Sequence, residues 1–359
     1  MIQLFRSRNG ASRAALGSLL AGALALAFAC GGGDDATEPD APAAATTAPA
    51  TTQAAAPATA TAEATGDTST GTTGGLQPRA MAAGDAGFDS GYPRYVDEEA
   101  GLTVVVGTPD LGVGSQRVAF VMSDDLGLVK LPIVSVTAQF QDDAEPGDPA
   151  IARYYDFPEG IRGLHVTQLD FDRAGQWLLD VSYPLPDGST GGTSFPVQVA
   201  EKTHAPDVGD AVPASANRTL ADVATVYELS TGAEPDPELY QQTIAEALAE
   251  GRPLVVVFAS PGFCTNALCG PQAEVLSILR ERYADDANFI HVDLYENPEE
   301  IRTQGLDIAV ETPLLMEWGL ETAEWTFIID ADGIVTHRFE AFVAESELEP
   351  ALLEVIESS

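Results

Sequence analysis

The sequence predicts an all-β sandwich followed by an α/β domain, with a disordered tether in front of both. Short apolar segments separated by Gly, Pro and Asp fill about residues 101–199, as expected of strands joined by turns. From about residue 206, apolar strands alternate with amphipathic helices. Before about residue 92, Ala, Thr, Pro, Gly and Asp dominate, and few side chains are suited to a core.

The N-terminal segment carries the pattern of an export signal. Its positively charged start contains Arg6, Arg8 and Arg13. The apolar run 14–29 follows, which is shorter than the roughly 20 residues of a spanning helix, and Cys30 ends it. This arrangement resembles a bacterial lipoprotein signal, although Ala27 stands where that family usually has Leu. The resemblance implies that residues 1–29 are removed as a signal peptide and that Cys30 is lipidated.

The lipoprotein resemblance places the protein at the cell membrane, lipid-anchored on the extracytoplasmic face. The alternative is an ordinary secretory signal cleaved nearby, which would leave Cys30 as a free thiol. Residues 30–92 are then predicted to be a lipid-anchored disordered linker without chemistry of its own. As a random coil, this linker has an end-to-end distance on the order of 45 Å, which holds the folded part away from the membrane.

The charge of the chain excludes one class of partner. A formal net charge of −38 repels nucleic acid and anionic lipid headgroups, so no nucleic-acid partner is expected. Asp and Glu are spread along the folded region rather than clustered, which favours an adaptation for solubility or high salt. The sequence has no loop with the spacing of an EF-hand calcium site, and we predict neither a metal nor a cofactor.

Residues 93–205 are predicted to form the sandwich, with seven or so antiparallel strands. The segment 171–181, in which an Ala-Gly turn precedes Trp177, resembles a strand pair of bacterial immunoglobulin-like exported modules. That resemblance implies an immunoglobulin-like β-sandwich with Trp177 in its core. Some similar sandwiches bind copper through His and Met, but His165 and Met122 are isolated in separate strands, so we predict no metal site here.

Residues 206–359 are predicted to form the α/β domain. The expected order is helix, strand, cysteine pair, helix, strand, hairpin and closing helix, at 236–251, 253–259, 264–269, 271–285, 288–294, 324–342 and 345–358. The order strand, cysteine pair, helix, strand, helix, hairpin and helix around Cys264 and Cys269 resembles a thioredoxin-fold domain. The resemblance implies that the two cysteines are the catalytic residues of a thiol–disulfide exchange.

Two features depart from the thioredoxin pattern. The cysteines are spaced Cys-x-x-x-x-Cys, and five residues of helix advance about 7.5 Å, so both cannot bond from within one helix. Gly270 and Pro271 are suited to starting the helix after the pair, which leaves Cys269 nearest its N-terminus and makes it the more acidic thiol. The second departure is Glu324, which by register occupies the position of the family's cis-proline, so a carboxylate there is expected to oppose thiolate formation.

Three functions remain open from the sequence. The first is an extracytoplasmic, lipid-anchored thiol–disulfide oxidoreductase that acts on exported proteins with thiols or disulfides. The second is a non-catalytic thioredoxin-like binding or scaffold lipoprotein in which Cys264 and Cys269 form a structural disulfide. The third is a copper chaperone similar to the cytochrome-oxidase assembly proteins, which use Cys-x-x-x-Cys and a distant histidine; neither His291 nor His337 falls at the expected place.

Overall fold

The computed structural model describes residues 92–263 and 271–359, and its first part is a curled ten-stranded sheet. The strands are β1 (Arg94–Asp97), β2 (Leu102–Val106), β3 (Leu111–Gly112), β4 (Gly114–Asp124), β5 (Gly127–Leu128), β6 (Ile133–Phe140), β7 (Ala150–Asp156), β8 (Gly163–Phe171), β9 (Gly175–Pro184) and β10 (Thr190–Ala200). Their order is β1-β2-β4-β8-β7-β6-β9-β10-β3, and β5 pairs with β4. All pairs are antiparallel except β10 with β3.

Alternation of side chains places the core on one face of this sheet. In β9, Trp177, Leu179 and Val181 are buried, while the residues between them are exposed, as a period of two requires. Trp177 is 7% exposed and packs edge-on against Phe140 and Phe171, at centroid distances of 5.4 and 5.2 Å. The prediction that Trp177 is a core residue is therefore confirmed.

The second part of the chain contains a four-stranded sheet with short helices. Its elements are α1 (Ile244–Ala249), β11 (Leu254–Phe258), α2 (Gln272–Tyr283), β12 (Asn288–Val292), α3 (Pro298–Gln304), α4 (Leu314–Glu317), β13 (Trp325–Ile329), β14 (Val335–Glu340) and α5 (Glu345–Ser358). The strand order is β12-β11-β13-β14, with β11 and β12 parallel and the other pairs antiparallel. Every residue of β11, β12 and β13 is buried, which explains their continuous apolar sequences.

The predicted fold class, a thioredoxin-like α/β domain after an immunoglobulin-like sandwich, is wrong. The structure is mostly β and only 20% helical, with one mixed ten-stranded sheet and one four-stranded sheet. Period-two patterns locate strands but do not say which strands pair. Strands expected in two facing sheets are instead hydrogen-bonded in one continuous path, because β6 joins β7 to β9 and β10 joins β9 to β3.

The helices are also shorter than predicted. The expected helix 236–251 divides into a 3-10 turn, Pro237–Tyr240, and the six-residue helix α1. The division occurs because Thr243 caps a new helix: its hydroxyl accepts the Glu246 N–H, and the Glu246 carboxylate accepts the Thr243 N–H.

The two sheets share one hydrophobic cluster within a single compact unit. The ten-stranded sheet contributes Phe157 and Leu164, and the C-terminal region contributes Phe342 and Leu352. The rings of Phe157 and Phe342 lie 4.4 Å apart. The predicted boundary between residues 205 and 206 lies in the coil after β10, and the division into two domains there stays a prediction.

Several predicted features fall outside the described residues. The signal peptide 1–29, the lipidation site Cys30 and nearly all of the linker 30–92 are among them. Within the described ranges, no helix combines the length and the apolar character needed to cross a membrane.

Candidate functional site

The predicted catalytic residues, Cys264 and Cys269, lie outside the described residues, but the structure describes the chain on both sides of them. On one side, β11 ends at Phe258, and the chain continues through Ala259 to Phe263. On the other side, Pro271 is the N-terminal cap of α2, and its carbonyl accepts the N–H of Glu274. The prediction that Pro271 begins a helix is confirmed, whereas Gly270 is not described.

Two buried acidic residues flank the point where β11 ends. Phe258 is paired with Val292 in the parallel register and with Trp325 in the antiparallel register. The next residue, Ala259, therefore lies between Asp293 on β12's side and Glu324 on β13's side. Asp293 is 4% exposed and Glu324 is 1% exposed. The segment that leads to Cys264 thus begins between two buried carboxyl groups.

Thr231 and Tyr295 hold the carboxylate of Asp293. Its Oδ2 accepts the backbone N–H and the hydroxyl of Thr231, each at 2.7 Å, and its Oδ1 accepts the N–H of Tyr295 at 3.2 Å. The Thr231 hydroxyl oxygen also lies 3.0 Å from the Ser260 hydroxyl and accepts the N–H of Gly262 at 3.1 Å. This network connects Asp293 to the residues that precede the cysteine pair.

Gly262 is needed for this close approach. A Cβ atom at position 262 would lie 2.3 Å from the Thr231 carbonyl oxygen, well inside any permitted contact. Only glycine therefore allows the backbone at this position to lie against Thr231 and donate to its hydroxyl.

Burial raises the pKa of Asp293 to about 7. Hydrogen bonds from Thr231, Tyr295 and Ser260 act in the opposite direction, because they stabilise the anion, but burial has the larger effect. A carboxyl group with this pKa gains and loses its proton near neutral pH, which is the property required of an internal proton donor or acceptor.

His291 lies next to this network and is held at both ring nitrogens. Its Nε2 is 3.1 Å from the carbonyl oxygen of Ala259, and its Nδ1 is 2.6 Å from the hydroxyl of Tyr240. A carbonyl oxygen only accepts, so Nε2 carries the hydrogen and Nδ1 accepts from Tyr240. Burial lowers the pKa of His291 to about 4 and raises the pKa of Tyr240, so both side chains stay neutral at pH 7.

A small polar cavity of about 30 Å³ adjoins Asp293 and His291. Its other lining residues include Asn217, Tyr240 and Thr312, together with Arg218, which donates to the carbonyl oxygens of Glu228 at 3.2 Å and Glu296 at 2.6 Å. A cavity of this size has room for a water molecule, and its lining offers the polar partners that a water needs.

Glu324 has an unusual backbone conformation. Its φ angle is 71°, and that of Ala341, which lies opposite it across the β13–β14 hairpin, is 61°. The N–H of Ala341 donates to the carbonyl oxygen of Glu324 at 2.9 Å. Non-glycine residues rarely adopt positive φ, and two facing each other mark a strained point of the fold.

The histidines and the methionine considered for metal binding lie in separate places in the structure. His165 is buried, its Nε2 is 3.0 Å from the Leu131 carbonyl oxygen, and burial lowers its pKa to about 4. His337 lies on β14, with its Nε2 3.7 Å from the Glu354 carboxylate. Met122 is buried in β4. Among the described residues, no group of three or more His, Cys, Asp or Glu side chains is arranged to hold a metal ion.

The comparisons with known proteins give only weak similarity. No protein-family model matches the sequence, and no curated protein matches it. Among solved structures, the chain is similar to a crystal structure described as a putative thiol:disulfide interchange protein DsbE from Chlorobium tepidum. The identity is 16%, the match covers 42% of this chain and 99% of the other, and the TM-score is 0.28. A similarity at this level supports no conclusion about fold or function.

Sequence reasoning missed Asp293, Thr231 and Tyr240. A signal for Asp293 was present, because an acidic residue directly follows an apolar strand that is parallel to the strand before the cysteines. Side chains that follow neighbouring parallel strands lie at the same edge of a sheet. Thr231 lies in a long irregular segment, where no local pattern indicates its contact with Asp293.

Proposed function

We propose that the protein is an extracytoplasmic thiol–disulfide oxidoreductase in which Cys264 and Cys269 carry the reaction and Cys30 anchors the chain to the membrane. The observation that carries this proposal is the network that joins Asp293 to Ser260 and Gly262, just before Cys264. Thiol–disulfide exchange proceeds through a cysteine thiolate, and a group such as Asp293, which exchanges protons near neutral pH, assists the loss of the thiol proton.

The proposed reaction is an exchange of two electrons and two protons. One cysteine thiolate attacks a disulfide of the substrate protein, forms a mixed disulfide and releases one substrate thiolate. The other cysteine then attacks the sulfur of the first cysteine in the mixed disulfide. This step releases the second substrate thiolate and leaves the Cys264–Cys269 disulfide. The two protons lost by the pair are the two that the substrate thiolates gain, and Asp293 can hold one of them in transit.

The start of α2 gives Cys269 the more favourable environment for a thiolate. Residues Gln272–Tyr283 form a helix of 12 residues, and no described side chain caps its N-terminus. The macrodipole of this helix therefore favours negative charge near Pro271. We assign Cys269 as the attacking thiolate and Cys264 as the resolving partner on this basis.

The alternative function is a binding or scaffold lipoprotein in which the disulfide is structural. Glu324 favours it, because this buried acidic residue lies beside Ala259 by register, and a negative charge close to the cysteines would oppose thiolate formation. For the copper chaperone, His291 would need a free ring nitrogen, but both of its nitrogens are hydrogen-bonded. We therefore do not favour copper transfer.

The reduction potential of the pair separates the two leading functions. The full chain is equilibrated in glutathione buffers of defined potential, and the free thiols are counted by alkylation and mass spectrometry. The Cys264→Ser and Cys269→Ser variants show which signals belong to the pair. A catalytic pair is expected above about −300 mV, and a potential below that value would establish a structural disulfide instead.

A further inference from the structure

The strained residues Glu324 and Ala341 are held by contacts from the ten-stranded sheet. Both are non-glycine residues with positive φ, at 71° and 61°, and both are buried. Such conformations cost free energy and persist only where the surrounding structure enforces them. The enforcing contacts are those that bind the backbone on either side of these two residues.

Arg117 of β4 fixes the backbone around Ala341. Its Nη1 donates to the carbonyl oxygen of Glu340 at 2.8 Å, and its Nη2 donates to that of Phe342 at 2.9 Å. These are the residues immediately before and after Ala341. The guanidinium is itself oriented by two hydrogen bonds to the Glu347 carboxylate, at 2.6 and 3.0 Å, and its side chain is only 8% exposed. A planar guanidinium held in this way presents two donors at fixed positions.

Tyr92 fixes the backbone before Glu324. Its hydroxyl donates to the carbonyl oxygen of Ala323. Glu340 adds a second link, because its carboxyl oxygens accept the hydroxyl of Thr322 and, at 3.1 Å, the N–H of Asp110, which lies between β2 and β3. Each strained residue is therefore flanked by a backbone group that is bound either by Arg117 of β4 or by Tyr92, which precedes β1.

We propose that Arg117 and Tyr92 are positioning residues that hold Glu324 and Ala341 in the left-handed conformation beside Ala259, where the cysteine segment begins. This gives the ten-stranded sheet a role: it sets the backbone next to the candidate site. The link to the cysteines rests on the proposed function, whereas the positioning of the strained pair does not.

A double-mutant cycle between Arg117→Lys and Ala341→Gly tests the positioning. Lysine keeps the positive charge near Glu347 but lacks the two-pronged donor, and glycine adopts positive φ without strain. The readout is hydrogen exchange of the amide at position 341, which is bonded to Glu324. Arg117→Lys is expected to accelerate this exchange about tenfold in the natural background and much less in the Ala341→Gly background.

Arg218→Lys is the matched control. Like Arg117, Arg218 donates to two backbone carbonyl oxygens, those of Glu228 at 3.2 Å and Glu296 at 2.6 Å, but neither residue adjoins Glu324 or Ala341 in the chain. It is expected to leave the exchange at position 341 unchanged. Equal effects of Arg117→Lys in both backgrounds, or an equal effect of Arg218→Lys, would overturn the proposal.

Tyr92→Phe is the milder variant, since it removes a single hydroxyl, and it keeps the test open if Arg117→Lys does not fold. It is expected to accelerate exchange at position 341 and to change the alkylation rate of the reduced cysteine pair. Faster exchange with an unchanged alkylation rate would refute the link to the cysteine segment. A reduction potential below about −300 mV with faster exchange would refute only the oxidoreductase function.

Discussion

Asp293 and Thr231 are 62 residues apart in the chain, yet Thr231 donates twice to the same oxygen of the Asp293 carboxylate, at 2.7 Å each. The second donor, the Thr231 hydroxyl, is also bonded to Gly262. A change in the charge of Asp293 therefore alters the hydrogen bonding of the residues that lead to Cys264. Two hydrogen bonds, from the Thr231 hydroxyl to Asp293 and from the Gly262 N–H to the Thr231 hydroxyl, connect this buried titratable group to the candidate site.

Replacing Asp293 by Asn is expected to flatten the dependence of stability on pH. The pKa of Asp293 is raised to about 7 in the folded protein, from 3.8, so the folded state holds a proton that the unfolded state loses. The free energy of unfolding therefore falls as pH rises from about 4 to about 7, by up to about 1.4 kcal/mol per pH unit. Urea unfolding of Asp293→Asn across this range should show a slope that is shallower by up to this amount, while the contribution of Glu340, whose pKa is also raised, remains.

Asp187→Asn is the control for this experiment, because Asp187 is fully exposed and its pKa is lowered by Ser189. It should not remove the falling slope between pH 4 and pH 7. A slope that is identical in the natural protein and in Asp293→Asn would show that Asp293 is already ionised throughout this range.

Replacing Glu340 by Gln is expected to stabilise the protein at alkaline pH. Burial raises the pKa of Glu340 to about 8, so the neutral form is favoured in the folded state and its contribution to stability is lost as pH rises from about 4.5 to about 8. Gln imitates the neutral acid at every pH. The melting temperature of Glu340→Gln should exceed that of the natural protein at pH 9 and match it near pH 5, while that of the exposed Glu354→Gln should match the natural protein at both pH values.

Removing the Tyr240 hydroxyl is expected to destabilise the protein. Tyr240→Phe leaves the Nδ1 of His291 as a buried acceptor without a partner, which costs about 1–3 kcal/mol. Tyr227→Phe is the control, since Tyr227 is 40% exposed. Urea unfolding measures the free energy of unfolding of both variants. Equal stabilities of Tyr240→Phe and the natural protein would indicate that a water replaces the lost hydroxyl.

The two cysteines are expected to differ in acidity. In the reduced protein, alkylation of Cys269 in a Cys264→Ser variant should proceed at lower pH than alkylation of Cys264 in a Cys269→Ser variant, because α2 begins just after Cys269. Rates measured from pH 5 to pH 10 give both pKa values. A Cys269 that reacts only above about pH 8.5 would favour the structural disulfide.

Loss of the Cys30 thiol is expected to release the protein from the membrane. Cys30→Ser cannot be lipidated, and the apolar segment before it is too short to span a bilayer. Fractionation of cells that produce the variant, with mass spectrometry of the mature N-terminus of the natural protein, measures this. An unmodified N-terminus at another residue would rule out the lipoprotein assignment.

Local patterns predicted individual elements closely, whereas pairing required the structure. The apolar segment 253–259 corresponds to β11, Leu254–Phe258, and the helix expected at 271–285 corresponds to α2, Gln272–Tyr283. Both could be predicted because the patterns of a buried strand and of a helix that begins at a proline are local in the sequence. The parallel pairing of Val199 with Leu111 cannot be predicted from neighbouring residues, since it depends on how the intervening strands curl. That is why one continuous sheet was mistaken for two facing sheets.

The candidate site likewise has a part that could be predicted from the sequence and a part that could not. Cys264 and Cys269 are recognisable from the sequence because thiols are rare and their spacing is local. The hydrogen bond from Thr231 to Asp293 joins an irregular segment to the end of a strand, and no periodicity encodes it. The positive φ of Ala341 is equally hidden, because alanine usually adopts negative φ.

The bond between Arg117 and Glu347 spans 230 positions of the chain, and it has a consequence for the order in which the protein is completed. A polypeptide that emerges from the ribosome N-terminus first has released the whole ten-stranded sheet before α5 exists. Until then, Phe157 and Leu164 lack the Phe342 and Leu352 side chains that cover them. The nascent chain therefore depends on the segment from Phe342 through α5 to bury Phe157 and Leu164, and a truncation before residue 342 should promote aggregation during synthesis rather than merely shorten the product.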